Sequence, residues 1–208
     1  MTDLEIGKIG RFPDAAEDPT SVFGPFYTTL EAEGRRVLAS LDLDQGEHVL
    51  DVGTGAGTYA TFLALEGFEV TTGEPSSDQT HYAAKDWARH TRSVGVEDKV
   101  SFVDFSAADM PFSDGAFAAV FFFGVLHHIH EEERQEALAE ALRVSRDGGA
   151  VVLFEPKVED LPKIRARDPL HPASAYPPDY LQIKGSEWTV LEKGALDIFV
   201  LRKPPTQA

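Results

Sequence analysis

The run Val49, Leu50, Asp51, Val52, Gly53, Thr54, Gly55, Ala56, Gly57 leaves a chain few ways to fold. An apolar stretch carrying a carboxylate and then glycines at alternate positions reads as a strand that turns sharply into a helix. Glycine suits such a turn because a side chain would block close approach of a ligand to the backbone, and because the turn can require positive φ. The N–H groups at the start of the following helix can bind a carboxylate or a phosphate. The loop alone does not say which, and without a ligand the same residues would make an ordinary tight turn.

Around this run, strand-like and helix-like segments alternate in the manner of parallel βαβ units. Strands are expected at 48–52, 68–72, 99–105, 117–123 and 150–154. The nearly unbroken apolar run at 117–123 fits a strand buried on both faces. Helices are expected at 58–66, closed by Gly67, from a cap at Ser76 or Ser77 to about residue 92, and at 131–145, where three glutamates suit the positive end of the dipole. Upstream, residues 1–27 read as irregular and lid-like, followed by a helix over 28–41. Downstream, a proline-rich loop over 156–178 leads to strands at 187–191 and 196–201, which form a hairpin around Lys193 and Gly194. The expected fold is α/β: a Rossmann-like, doubly wound, mostly parallel seven-stranded sheet ending in an antiparallel hairpin.

With 208 residues the chain has room for one such domain and not for two. Within it, 28–156 would be the cofactor-binding core and 157–208 the acceptor-side loop and hairpin. A net charge of -16 presents a field that repels phosphate backbones and anionic lipid headgroups, which argues against nucleic acid and membrane partners. There are no cysteines, so disulfides, thiolate-bound zinc and thiol catalysis are excluded, and no metal is expected. No stretch approaches the roughly 20 apolar residues needed to span a bilayer, and the first residues lack a signal-like run, so a cytoplasmic monomer or homodimer is expected.

Spacing narrows the ligand. A dinucleotide fingerprint wants glycine at the sixth position of the loop, where this chain has Thr58, its extra glycine being Gly57. Glu74, about twenty residues beyond the glycines, stands where a carboxylate can accept both hydroxyls of a ribose. Taken by itself it would be a solvated strand end; with the loop it implies a nucleoside.

Together these residues resemble the class I S-adenosylmethionine-dependent methyltransferases, in their small-molecule, ubiquinone-biosynthesis-type group. The likeness covers roughly residues 48–156. It extends to Met110-Pro111-Phe112 before the strand at 117–123, to Leu126-His127-His128 after it, and to the turn at Arg146-Asp147-Gly148-Gly149. The resemblance implies that Asp51, Gly53, Thr54, Gly55 and Gly57 hold the methionine end, with Glu74 on the ribose and Ser76 beside it. Phe123 would touch the cofactor through its backbone, and Tyr27 would lie over it.

Two departures stand out. Where the family often has Gly-Asp-Ala, this chain has Phe105-Ser106-Ala107, which passes the adenine contact to Ser106, Ala107 and Asp109, or to Asp104. Gln79 occupies a position often held by a hydrophobic residue over the adenine.

The implied reaction is in-line displacement of the methyl group from S-adenosylmethionine onto a small-molecule acceptor, releasing S-adenosylhomocysteine. His127 is the candidate for orienting the acceptor or removing its proton, the competing role being a hydrogen bond to loop backbone. His171, Tyr176 and Tyr180 are candidates for acceptor contacts. The alternatives are a module that binds the cofactor without catalysis and, more distantly, a nicotinamide-dependent oxidoreductase.

Overall fold

The computed structural model describes residues 16–205 apart from 84, 85, 185 and 192. Strand β1 (His48–Val52) pairs on one side with β2 (Glu69–Glu74), itself paired with β3 (Val100–Asp104), all in parallel. On its other side β1 meets β4 (Phe117–Phe123), followed by β5 (Ser145–Pro156), again in parallel. Strand β7 (Leu196–Arg202) then runs antiparallel to β5, with β6 (Trp188–Leu191) outside it, giving the order β3-β2-β1-β4-β5-β7-β6. The seven-stranded sheet with its terminal hairpin is the one expected.

Period-two alternation divides the apolar residues between two cores. Val49, Phe121, Val152 and Val200 enter one face, under α2 (Phe26–Leu38) and α3 (Thr58–Leu65). Leu50, Val120, Phe122 and Leu153 enter the other, where α5 (Arg134–Val144) lays down Leu138, Ala141 and Val144. Both faces being covered, β4 is buried along its first six residues, as its composition requires. Gly34 lets α2 close on α3, since a Cβ there would lie 2.4 Å from the Phe62 ring.

The amino-terminal stretch departs from the expectation of irregular structure through residue 27. Residues 1–15 lie outside the described set, but Pro19–Phe23 forms a short helix, α1. Asp18 caps it, its Oδ1 accepting from the Thr20 N–H at 2.8 Å, with proline in the first turn where no N–H is needed. Helix α2 begins two residues earlier than expected and ends at Leu38.

The helix expected from Ser76 or Ser77 is a larger correction. Residues 75–83 are turns, and helix α4 spans only Trp87–Ser93. The Ser76 N–H donates to Oδ1 of Asp104 and the Thr80 N–H to Oδ1 of Asp78, local side-chain bonds that draw the backbone away from a helical ladder. Farther on, α6 (Leu161–Arg165) is the one α-helix among the described residues of the proline-rich segment.

At the tip of β2, a Cβ on Gly73 would stand 2.1 Å from the Val103 carbonyl oxygen and 2.3 Å from the Phe105 ring. Because backbone sets the closer contact, Gly73→Ala is expected to destabilise the protein by about 3 kcal/mol, the upper end for overpacking. Chemical denaturation would show this as a lower midpoint at constant slope.

Candidate active site

Connectivity opens the site. Strands β1 and β4 are neighbours, but the chain leaving β1 enters α3 on one face while the chain leaving β4 passes to α5 on the other. A crevice therefore forms at their carboxyl ends. It is a cavity of about 730 Å³ with Gly53, Thr54, Gly55 and Ala56 along one side, a size that suits a small organic ligand.

Gly53 has φ +84°, and a Cβ there would fall 2.5 Å from Val125 Cγ2. Both backbone conformation and space demand glycine. Gly57 caps α3 in the left-handed region and does not line the cavity. Thr54 is held from below, the Thr72 hydroxyl lying 3.0 Å from its Oγ1 and donating at 2.8 Å to Oδ2 of Asp51.

Asp51 itself is 1% exposed and lies behind the lining. Its Oδ1 is buried without a partner. Burial pushes its carboxyl up to about 7, against the pull of the Thr72 hydrogen bond, with Glu74 adding to the rise.

Glu74 is the last residue of β2 and faces the glycine turn. Its Oε2 accepts the Gly55 N–H at 2.8 Å. Ser106, Ala107 and Ala108 also line the cavity, whereas Asp109, Asp104 and Ser76 do not; Ser77, Asp78 and Gln79 do. Tyr27 is buried at the wall beside Phe23, and Phe26 packs over Phe123 with ring centroids 6.3 Å apart. Phe123 also stacks on Tyr59 at 4.9 Å. Glu74, Asp78 and Glu133 reach the lining, but among the described residues no lysine or arginine does.

The tandem histidines separate. His127 is buried, with Nδ1 2.8 Å from Oε2 of Glu155, whose same oxygen accepts the Ala175 N–H at 3.2 Å. It does not reach the cavity lining; His128 does. His171 stands behind that wall, and Tyr82, from the turns after β2, donates its hydroxyl proton to Asp168 while lying 3.0 Å from Nδ1 of His171. Tyr176 packs against Phe199, and Tyr180 accepts from Arg134 at 2.6 Å; neither lines the cavity. Sequence reasoning missed Tyr82, which only the fold brings to His171, and it preferred His127 to His128 because adjacent residues in a turn give no sign of which one faces inward.

Residues 49–149 match the model of the methyltransferase domain family. The methyltransferase GfsG of Streptomyces halstedii is 32% identical over 138 residues, covering 66% of this chain and 48% of that protein. A demethylmenaquinone methyltransferase of Clavibacter sepedonicus is 32% identical over 121 residues, covering 58% of this chain and 45% of that one. This chain thus spans about half the length of the relatives it matches. Among solved structures, an O-methyltransferase family protein from Burkholderia thailandensis superposes with a TM-score of 0.62 at 17% identity, covering 88% of this chain and 59% of that one, which speaks to the fold.

Proposed function

We propose that this chain is a class I S-adenosylmethionine-dependent methyltransferase and that it transfers the methyl group of that cofactor to a small-molecule acceptor. The observation that carries the reading is the bond from the Gly55 N–H to Glu74, which sets the ribose carboxylate against the glycine turn on one cavity wall.

The charges agree with the ligand. Carboxylates at the lining and no described lysine or arginine favour a ligand bearing a sulfonium and an ammonium, and oppose the pyrophosphate of a dinucleotide. Asp51 offers a buried, unpartnered oxygen below the loop, which an ammonium would satisfy. Gly53 and Gly55 keep the floor bare. Ser106 and Ala107 border the adenine end, and Phe123 and Tyr27 close the wall opposite.

When bound, S-adenosylmethionine supplies a methyl group already activated by the positive sulfur. The protein then has to align an acceptor with that carbon and exclude water. The aromatic wall of Phe23, Phe26 and Phe123, with Leu30 and Ile129, fits an acceptor with an apolar body. His128, at the wall, is better placed than His127 to meet its polar end. His127, fixed by Glu155, acts by holding the turn that carries His128.

We place the whole chain in one domain, with 28–156 seating the cofactor and 157–208 flanking the acceptor. Its charge of -16 favours a partner other than nucleic acid. Among the described residues no helix is long and apolar enough to cross a membrane; we place the protein in the cytoplasm.

Isothermal titration should show one S-adenosylhomocysteine bound per chain, and a screen of small acceptors should release that product from S-adenosylmethionine. A folded protein with no affinity for either compound would reject the assignment.

A further inference from the structure

Three imidazoles converge from distant parts of the chain: His127 and His128 from the turn after β4, and His171 from the loop beyond α6. One ring nitrogen from each lies within 4.8 Å of the other two. The ring centroids are 4.2, 5.0 and 5.2 Å apart. The side chains of His127 and His171 are 2% and 9% exposed, while His128 is part-buried at the cavity wall.

One nitrogen of the group has no visible purpose. Nε2 of His171 is buried without a hydrogen-bond partner, which such atoms rarely lack. The opposite nitrogens are held: Nδ1 of His127 lies 2.8 Å from Oε2 of Glu155, and Nδ1 of His171 lies 3.4 Å from Oδ2 of Asp168 and 3.0 Å from the Tyr82 hydroxyl. A carboxylate that takes the Nδ1 proton fixes the tautomer and leaves the lone pair on Nε2. Histidines that ligate metals are oriented in this way by their outer neighbours.

We propose that His127, His128 and His171 form a three-imidazole site for a divalent transition-metal ion of the zinc class, oriented by Glu155 and Asp168. Imidazole selects such ions over magnesium and calcium, which take oxygen ligands. In a tetrahedral zinc site, with Zn–N of about 2.0–2.1 Å, the nitrogens stand about 3.3 Å apart. The three rings therefore draw together on binding, and rotation of His128, at the open side, supplies most of that movement. Three protein ligands leave a fourth position for water or another molecule, and His128 sets the ion beside the cavity. Metal binding here is independent of the assignment of methyl transfer.

The test uses the full-length, tag-free chain stripped with EDTA, titrated with Zn²⁺ by calorimetry and with Co²⁺ by visible absorption. One ion per chain is expected, with the intense Co²⁺ bands of a four-coordinate site. His171→Ala should weaken Zn²⁺ binding at least 100-fold and Asp168→Asn about 10- to 100-fold, the range for an outer-shell partner. His130→Ala, an exposed histidine of the same turn, should bind as the parent does. Melting curves of the metal-free variants establish that each is folded, and Asp168→Asn keeps the test open should His171→Ala fail to fold. Absence of Zn²⁺ binding by the parent chain, or unchanged affinity in His171→Ala and Asp168→Asn, overturns the site. Titration with S-adenosylhomocysteine reports separately on the cofactor.

Discussion

Glu74→Ala should weaken S-adenosylhomocysteine binding by about 30- to 1,000-fold. A carboxylate that accepts both ribose hydroxyls makes two charge-assisted hydrogen bonds, and losing them costs about 2–4 kcal/mol at roughly 1.4 kcal/mol per tenfold. Calorimetry on the folded variant reads the loss directly. The same substitution removes the acceptor of the Gly55 N–H, a bond worth about 1 kcal/mol, so the ligand-free melting temperature should fall only slightly. Affinity near that of the parent would remove Glu74 from the ribose and with it the main support for the cofactor's orientation.

Asp51→Asn is expected to move stability and binding in opposite directions. Burial raises the Asp51 carboxyl from 3.8 to about 7 in the folded protein. The folded state therefore holds this proton more tightly than the unfolded chain does. The stability that comes from holding it is fully present below about pH 3.8, declines as pH rises, and is gone above about pH 7. Across that interval the ligand-free protein loses on the order of 4 kcal/mol from this one group. Asparagine cannot ionise, so the variant should lack that part of the pH dependence and be more stable than the parent at pH 8, by about 1–3 kcal/mol once an imperfectly satisfied amide is allowed for. At the same pH it should bind S-adenosylhomocysteine at least 10-fold more weakly, having lost the charge that an ammonium would neutralise. Urea titrations at pH 5 and pH 8 test the first half and calorimetry at pH 8 the second. Parallel stability curves for the two proteins would show that Asp51 does not ionise with the expected cost.

How much of this was readable from the chain depends on the range of the signal. The strand at 48–52 is set by strand period and the turn after it by the steric demand for glycine, and the structure has that strand, with Glu74 ending β2 beside the turn. Phe121 and Phe122 announce their burial by composition, and alternate registers send them to opposite cores. The stretch after β2 misled for a physical reason. Ser76 and Asp78 carry the polar groups that cap helices, but here the Ser76 N–H donates to Asp104 and Asp78 accepts the Thr80 N–H, and the stretch makes turns instead. Asp51 sits inside a strand run, yet nothing in its neighbours says that one of its oxygens is left unpartnered. Farthest from view was the meeting of His171 with His127 and His128, which depends on how a proline-rich loop folds back across the sheet.

The hydroxyl of Tyr82, which lines the cavity, is tied to Asp168, which does not. One partner comes from the turns that follow β2, the other from the loop beyond α6. Segments 86 residues apart are thereby moored to each other beside the site, so a substitution in either one is passed on to the other through that tie.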